Sequence, residues 1–228
     1  MLRVLSIIPA RSGSKSLPNK NVLFFRGMPL LGHSIKYSKS SDLVSKTIVS
    51  TDSTEIAEIA ENLGAEVPFL RPTELAKDES QDYEFTRHAL DYFEKNGDIF
   101  DIYIILRPTS PLRPKGLIER AVEIFQITPE ITSVRSVTEI KEHPYRSWKM
   151  NKDGSISGYE SAVHEAYNLP RQKLPKIFFQ TGDLEAVSRR TVLAGSVSGN
   201  KVFPLFISYS DMQDIDTLED FERASYKT

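Results

Sequence analysis

Apolar positions along the chain fall into short runs separated by stretches with helical spacing. Residues 2–8 read as a central strand, apolar as parallel strands buried on both faces are. Residues 29–41 follow as a helix with Pro29 in its first turn. Residues 46–51 form a second strand, and Asp52-Ser53 can cap a helix over 54–63 that ends at Gly64. Residues 66–70 read as a short third strand. Over 81–96, Phe85, Ala89, Leu90 and Phe93 recur near helical spacing, and Gly97 stops the pattern. A strand over 101–106, a helix over 115–126 and a strand over 131–137 extend the alternation. This rhythm predicts an α/β fold of parallel βαβ units with right-handed crossovers.

The rhythm breaks after Val137. Residues 141–176 are rich in proline, tyrosine and basic side chains and show no strong helical period. Asp153-Gly154 reads as a hairpin turn between Trp148-Lys149-Met150 and Ile156-Ser157. The segment is therefore expected to be a small β-rich arm inserted into a single domain over 1–228. The α/β pattern resumes over 184–192 and 201–208, and a helix over 217–226 follows Asp214-Ile215-Asp216.

Composition narrows the function. With 228 residues, 39% hydrophobic and 26% charged, the chain can bury one substantial core. A net charge of -2 disfavours a broad nucleic-acid surface, so basic residues that bind an anion must be focused locally. The absence of cysteine excludes disulfides, a thiolate nucleophile and a thiolate metal site. No apolar run approaches a membrane span, and the first strand starts too early for a signal peptide, so a cytoplasmic protein is expected.

Four stretches could carry chemistry. The loop over 9–21 follows a buried strand and combines small residues with Arg11, Lys15 and Lys20. Small residues let backbone amides approach anionic oxygens, so it could cradle phosphate, but a solvated basic loop fits it as well. Neither a Walker loop nor a Gly-x-Gly-x-x-Gly dinucleotide turn is present. Arg107-Pro108-Thr109-Ser110-Pro111-Leu112-Arg113 follows the 101–106 strand, where ligands sit in open α/β sheets, although a rigid turn capped by Ser110 explains it equally. Asp214-Ile215-Asp216 would place two carboxylates on one face if extended, suiting Mg²⁺, or Asp216 could cap the last helix. Arg71-Pro72-Thr73-Glu74-Leu75-Ala76-Lys77-Asp78 reads as a surface turn or a ligand-facing one. His33, His88, His143 and His164 are scattered and read as structural.

Ala10-Arg11-Ser12-Gly13-Ser14-Lys15-Ser16-Leu17-Pro18-Asn19-Lys20-Asn21 resembles the signature Ala-Arg-x-Gly-Ser-Lys-x-x-Pro-x-Lys-Asn of the N-acylneuraminate cytidylyltransferases (CMP-sialic acid synthetases), matching every fixed position. The Kdo branch of that superfamily typically has Ala-Arg-Tyr and a Leu-Pro-Gly-Lys-Pro ending. Ser12 and Pro18-Asn19-Lys20-Asn21 point away from it. The resemblance runs over residues 4–224. It includes the 107–113 turn (where the family usually has Gln in place of Arg107), Arg171-Gln172-Lys173-Leu174-Pro175, and the acid pair near the C-terminus. It departs at Thr181-Gly182-Asp183-Leu184-Glu185, where the family reads Asn-Gly-x-x-Tyr.

The resemblance implies a Rossmann-like nucleotide-diphospho-sugar transferase fold with a mixed, mostly parallel sheet and a dimerisation arm. It also implies transfer of CMP from CTP to a nine-carbon acidic sugar with release of pyrophosphate. It places Ala10, Arg11, Ser12, Gly13, Ser14, Lys15, Lys20, Asn21, Arg71 and Ser80 about the nucleotide, and Mg²⁺ or Mn²⁺ on Asp214 and Asp216. Arg107, Thr109, Ser110, Gln172 and Glu185 fall about the sugar, and Arg11, Lys20, Asp216 and Arg171 are the catalytic candidates. In relatives the arm forms a homodimer, which would carry Arg171 toward the neighbouring site. Arg107-Pro108-Thr109-Ser110-Pro111 together with Tyr167-Asn168-Leu169-Pro170-Arg171-Gln172 resembles the legionaminic acid branch, although Arg107 and Glu185 could instead pair with each other. The alternatives are a Kdo-type or hexose-1-phosphate nucleotidyltransferase, and a CTP-binding regulatory protein without turnover.

Overall fold

The computed structural model describes residues 2–14 and 17–226. Its centre is strand β1 (Val4–Pro9), whose side chains alternate between two faces. Val4 and Ile8 join a core with helices α1 (Leu30–Lys39), α2 (Thr54–Asn62) and α4 (Leu117–Ile127). Leu5 and Ile7 enter a second core with α3 (Asp82–Lys95) and the short α5 (Arg189–Leu193). Burial on both faces explains why the strand is apolar at consecutive positions.

Strands β4 (Lys46–Ser50) and β5 (Ile102–Ile105) pair parallel with β1 on either side. Beyond β5 lie β9 (Phe178–Ser188), β6 (Ser133–Glu139) and β10 (Val202–Phe206), giving the order β10-β6-β9-β5-β1-β4. Only β9 runs antiparallel to its neighbours, so the sheet is mixed and mostly parallel; the alternation predicts the parallel pairs alone. No described helix is long and apolar enough to cross a membrane.

Caps delimit the helices close to their expected ends. Ser53 Oγ accepts from Ile56 N at 3.3 Å to start α2, and Gln81 and Glu84 form a reciprocal capping box on α3. Gly64 and Gly97 take the left-handed conformation that stops α2 and α3.

Three expectations are corrected. Residues 66–70 form no strand: only the isolated bridges Ile48↔Glu66 and Thr51↔Leu70 remain. Pro68, which has no amide hydrogen, interrupts a ladder between them. A small hairpin, β2 (Phe24–Phe25) and β3 (Met28–Pro29), precedes α1, turned by positive φ at Arg26 and Gly27. The sheet also resumes at Phe178, earlier than expected, and the 184–192 stretch divides where Ser188 caps α5. Between β6 and β9 the arm carries the expected hairpin, β7 (Trp148–Met150) and β8 (Ile156–Gly158), with Gly154 at positive φ in its turn.

The last helix, α6 (Leu218–Tyr226), closes a third apolar cluster that positions the site. Leu17, Phe25, Leu30, Ile215 and Ala224 are buried together. Ile215 N also donates to Thr109 O at 2.8 Å. Burial of Ile215 and this bond hold the acid-rich 214–216 segment beside the loop after β1 and the turn after β5.

Candidate active site

A cavity of about 580 Å³ opens at the carboxyl ends of β1, β4 and β5. Its lining includes Arg11, Lys20 and Asn21 from the first loop, and Arg71, Lys77, Asp78, Ser80 and Asp82 after β4. Arg107 and Thr109 come from the turn after β5, and Asp214 and Asp216 from the segment before α6. Ligand binding beyond strand carboxyl ends is the rule in such sheets, because crossovers leave a crevice there.

Each group is oriented by a specific contact. Lys20 Nζ donates to Asp216 Oδ1 at 2.6 Å. Arg11 pairs with Asp78 at 2.8 Å, and Asn21 Nδ2 donates to Arg11 O at 2.9 Å, bracing the loop across its base. Arg71 is buried, donates from Nε to Ser50 Oγ at 3.0 Å and stacks its guanidinium over Phe85. Burial lowers its pKa to about 10, and it stays charged at neutral pH. Arg107 Nη2 bridges two carboxylates, Asp82 and Glu185, the latter at 2.7 Å. Beneath the turn, Arg113 is buried and donates to the carbonyls of Asp183 and Arg107 and to Ser34 Oγ. Burial brings Arg113 to about 10 as well.

The acid pair has the chemistry of a hard-cation site. Burial raises the Asp214 carboxyl, and the charge of Asp216 pushes it the same way; a hydrogen bond from Thr109 and the charges of Lys20 and Arg107 oppose the rise. A buried carboxylate whose charged form is disfavoured, beside a second carboxylate, suits a divalent cation completed by phosphate oxygens and water. The described residues contain no group of three or more His, Cys, Asp or Glu side chains that could hold a metal ion.

Arg11, Ser14, Lys20, Asn21, Arg71, Ser80, Arg107, Thr109, Asp214 and Asp216 therefore come together, drawn from four separate stretches. Lys15 lies outside the described residues. Ala10, Ser12 and Gly13 do not line the cavity. Ala10 is buried, and Ser12 N and Oγ both donate to Asp52, at 2.9 and 2.8 Å. The Ser12 amide is thus engaged by Asp52 rather than open to phosphate, and Asp52 serves the loop rather than capping α2.

Ser110 is fully buried, in contact range of Gly182 behind the cavity wall. Glu185, expected about the sugar, is 3% exposed, pairs with Arg107 and Arg135 and does not line the cavity. Arg171 and Gln172 sit in the arm and line a separate hollow with Lys141, Arg146 and Lys176. Sequence reasoning named Asp52 and Asp78 without a role in the site and gave none to Asp82 or Arg135. Asp82 was legible only as an acid in a helix first turn, a position that ordinarily signals capping.

A mixed α/β sheet with a cation-lined crevice and a pair of carboxylates at its edge suits a ligand carrying several negative charges. Residues 5–180 match the family model described as cytidylyltransferase, and the chain belongs to that family. It is 34% identical over 218 residues to the CMP-N,N'-diacetyllegionaminic acid synthase of Legionella pneumophila subsp. pneumophila, covering 95% of this chain and 92% of that protein. It is 41% identical over 136 residues to the N-acylneuraminate cytidylyltransferase of Escherichia coli O18:K1:H7, covering 60% of this chain and 31% of that protein. Among solved structures, a CMP:2-keto-3-deoxy-manno-octonic acid synthetase complexed with CTP aligns with a TM-score of 0.73 at 16% identity. That alignment covers 98% of this chain and 97% of the other and bears on the fold.

Proposed function

We propose that the chain transfers CMP from CTP to the anomeric hydroxyl of a nine-carbon acidic sugar, releasing pyrophosphate. A legionaminate-type 5,7-diacylamido sugar is preferred over N-acetylneuraminate. One observation carries the reading: Arg11, Lys20 and Arg71 converge with Asp214 and Asp216 on a single cavity, beside a sugar-side wall made by Arg107. The near full-length similarity to the legionaminic acid enzyme supports the sugar class.

The reaction joins two anions, so positioning and charge neutralisation dominate. Arg11 and Lys20 hold phosphate oxygens, and Asn21 and Arg71 fix the nucleotide against β1 and β4. The anomeric oxygen attacks the α-phosphorus as the bond to the pyrophosphate oxygen breaks, and the hydroxyl proton leaves to solvent or a buffer base. Asp214 and Asp216 would hold Mg²⁺ or Mn²⁺, which would supply charge neutralisation at the phosphates and Lewis acidity toward the hydroxyl.

The protein is a cytoplasmic homodimer joined through the 141–176 arm. Trp148, Met150, Ile156 and Tyr159 leave the hairpin with exposed large apolar surface, which supports an interface there. In the dimer Arg171 approaches the neighbouring cavity.

The test is pyrophosphate release with CTP, UTP or ATP against a panel of acidic sugars. CTP with a nonulosonate should be the productive pair, and a catalytic efficiency for legionaminic acid below that for N-acetylneuraminate rejects the sugar preference. Saturable CTP binding without pyrophosphate release across the whole panel rejects the enzymatic reading.

A further inference from the structure

Four charges of alternating sign run inward from the cavity wall: Asp82, Arg107, Glu185 and Arg135. Glu185 is central because β9 lies between β5 and β6. It stands opposite Ile105 on one side and opposite Arg135 on the other. Its Oε1 receives Arg107 and its Oε2 faces the Arg135 guanidinium, and both Glu185 and Arg135 are buried. Neither lines the cavity.

Arg135 extends the chain of contacts. Its Nη2 donates to Val197 O at 3.1 Å and to Ser198 Oγ at 2.8 Å. Val197 and Ser198 wall a neighbouring hollow of about 480 Å³ that shares Ser80 and Asp82 with the main cavity. One buried carboxylate thus ties the Arg107 fork to the wall opposite it.

We propose that Glu185 and Arg135 are positioning residues for sugar selectivity, fixing the donor face of Arg107 and the 195–198 wall without touching substrate. This rests on the cytidylyltransferase reading above. Two of the Arg107 contacts fall on one nitrogen, Nη2, and a third, from Nη1, goes to Asp82. An arginine has five N–H donors, so the fork keeps donors for an acceptor oxygen in the cavity, such as an acyl carbonyl or a carboxylate. A guanidinium clamped between two carboxylates is held in one orientation, so each remaining donor has a fixed direction. Glu185 also balances the buried Arg135, which would otherwise be an unpaired interior charge.

Glu185→Gln keeps the shape and removes the charge. The expected result is a sugar KM raised about tenfold with the CTP KM within about twofold of wild type. In ¹⁵N-arginine-labelled protein the Arg107 Nε resonance, assigned by its loss in Arg107→Gln, should shift and broaden without any sugar present. If Glu185→Gln is poorly folded, Arg135→Gln/Glu185→Gln replaces both charges by a neutral pair and should show the same split. An unchanged Arg107 resonance, or equal changes in both KM values, overturns the proposal. A wild type that uses no acidic sugar overturns the substrate reading instead, and the resonance still decides the brace.

Discussion

Lys20 and Asp216, 196 positions apart in the chain, share a hydrogen bond of 2.6 Å. The cation assigned to phosphate and a carboxylate assigned to the metal ion therefore hold each other. Lys20 is largely covered, with a side chain 12% exposed, whereas that of Asp216 is 60% exposed. Asp216 cannot give its full charge to a divalent ion while Lys20 competes for it, and the lysine has no need of Asp216 once phosphate is bound.

Lys20→Ala should act on the two ligands with opposite sign. Turnover should fall by roughly a hundredfold or more, the loss typical of one oriented donor at a charged transition state, and Arg11→Ala should do the same. Divalent binding without nucleotide should tighten, because Asp216 is released. Pyrophosphate release and a Mn²⁺ titration followed by water proton relaxation measure both effects. Wild-type turnover in both variants would remove the loop after β1 from phosphate binding.

Replacing Asp214 and Asp216 together by Asn removes two charges with little change of shape. The double variant should lose Mn²⁺ binding in the presence of CTP and most of its activity at limiting Mg²⁺. Full activity at limiting Mg²⁺ would make the two acids structural.

The exposed apolar side chains of the 148–159 hairpin lead to a dimer expected at micromolar concentration. Sedimentation velocity of wild type and of Trp148→Ala/Met150→Ser should show a dimer and a monomer respectively. A monomeric wild type refutes the arm as an interface.

His88 links stability to pH. Its ring packs edge-on against Phe69 at 4.5 Å, and burial, helped by the charge of Arg71, lowers its pKa below 6.5. The unfolded chain therefore takes up the proton first as pH falls through about 6.5. Stability is lost below that value and levels off once the folded form is also protonated. One proton accounts for a slope of at most about 1.4 kcal/mol per pH unit. Burial lowers His33 too, so His88→Gln should remove only part of the loss. Urea unfolding at pH 7.5 and 5.5 checks it; an unchanged pH difference in His88→Gln would clear His88 of the effect.

The alternation of apolar runs and helical spacing made most of the core elements legible, because burial pattern and caps are local properties. The loop over 10–21 was legible as an exact motif match. The 66–70 stretch was misread because apolar content outweighed Pro68, whose missing amide hydrogen stops a ladder. Of the cavity, the stretches were legible but their partners were not: Asp82 fell within the 81–96 helix and Arg135 within the 131–137 strand, and no local pattern says which charge either meets.

By itself the amino-acid sequence determined the α/β class, the first strand with its basic loop, the acid pair near the C-terminus and membership of the family. Tertiary structure alone decided that β9 enters the sheet antiparallel between β5 and β6, that Glu185 lies between two arginines, and that Lys20 meets Asp216. Periodicity specifies which face a side chain takes, since that depends on the geometry of a few neighbouring residues. Which charge it then meets depends on sheet register and on apolar packing, as where Ile215 buries beside Phe25 and brings the two ends of the chain together.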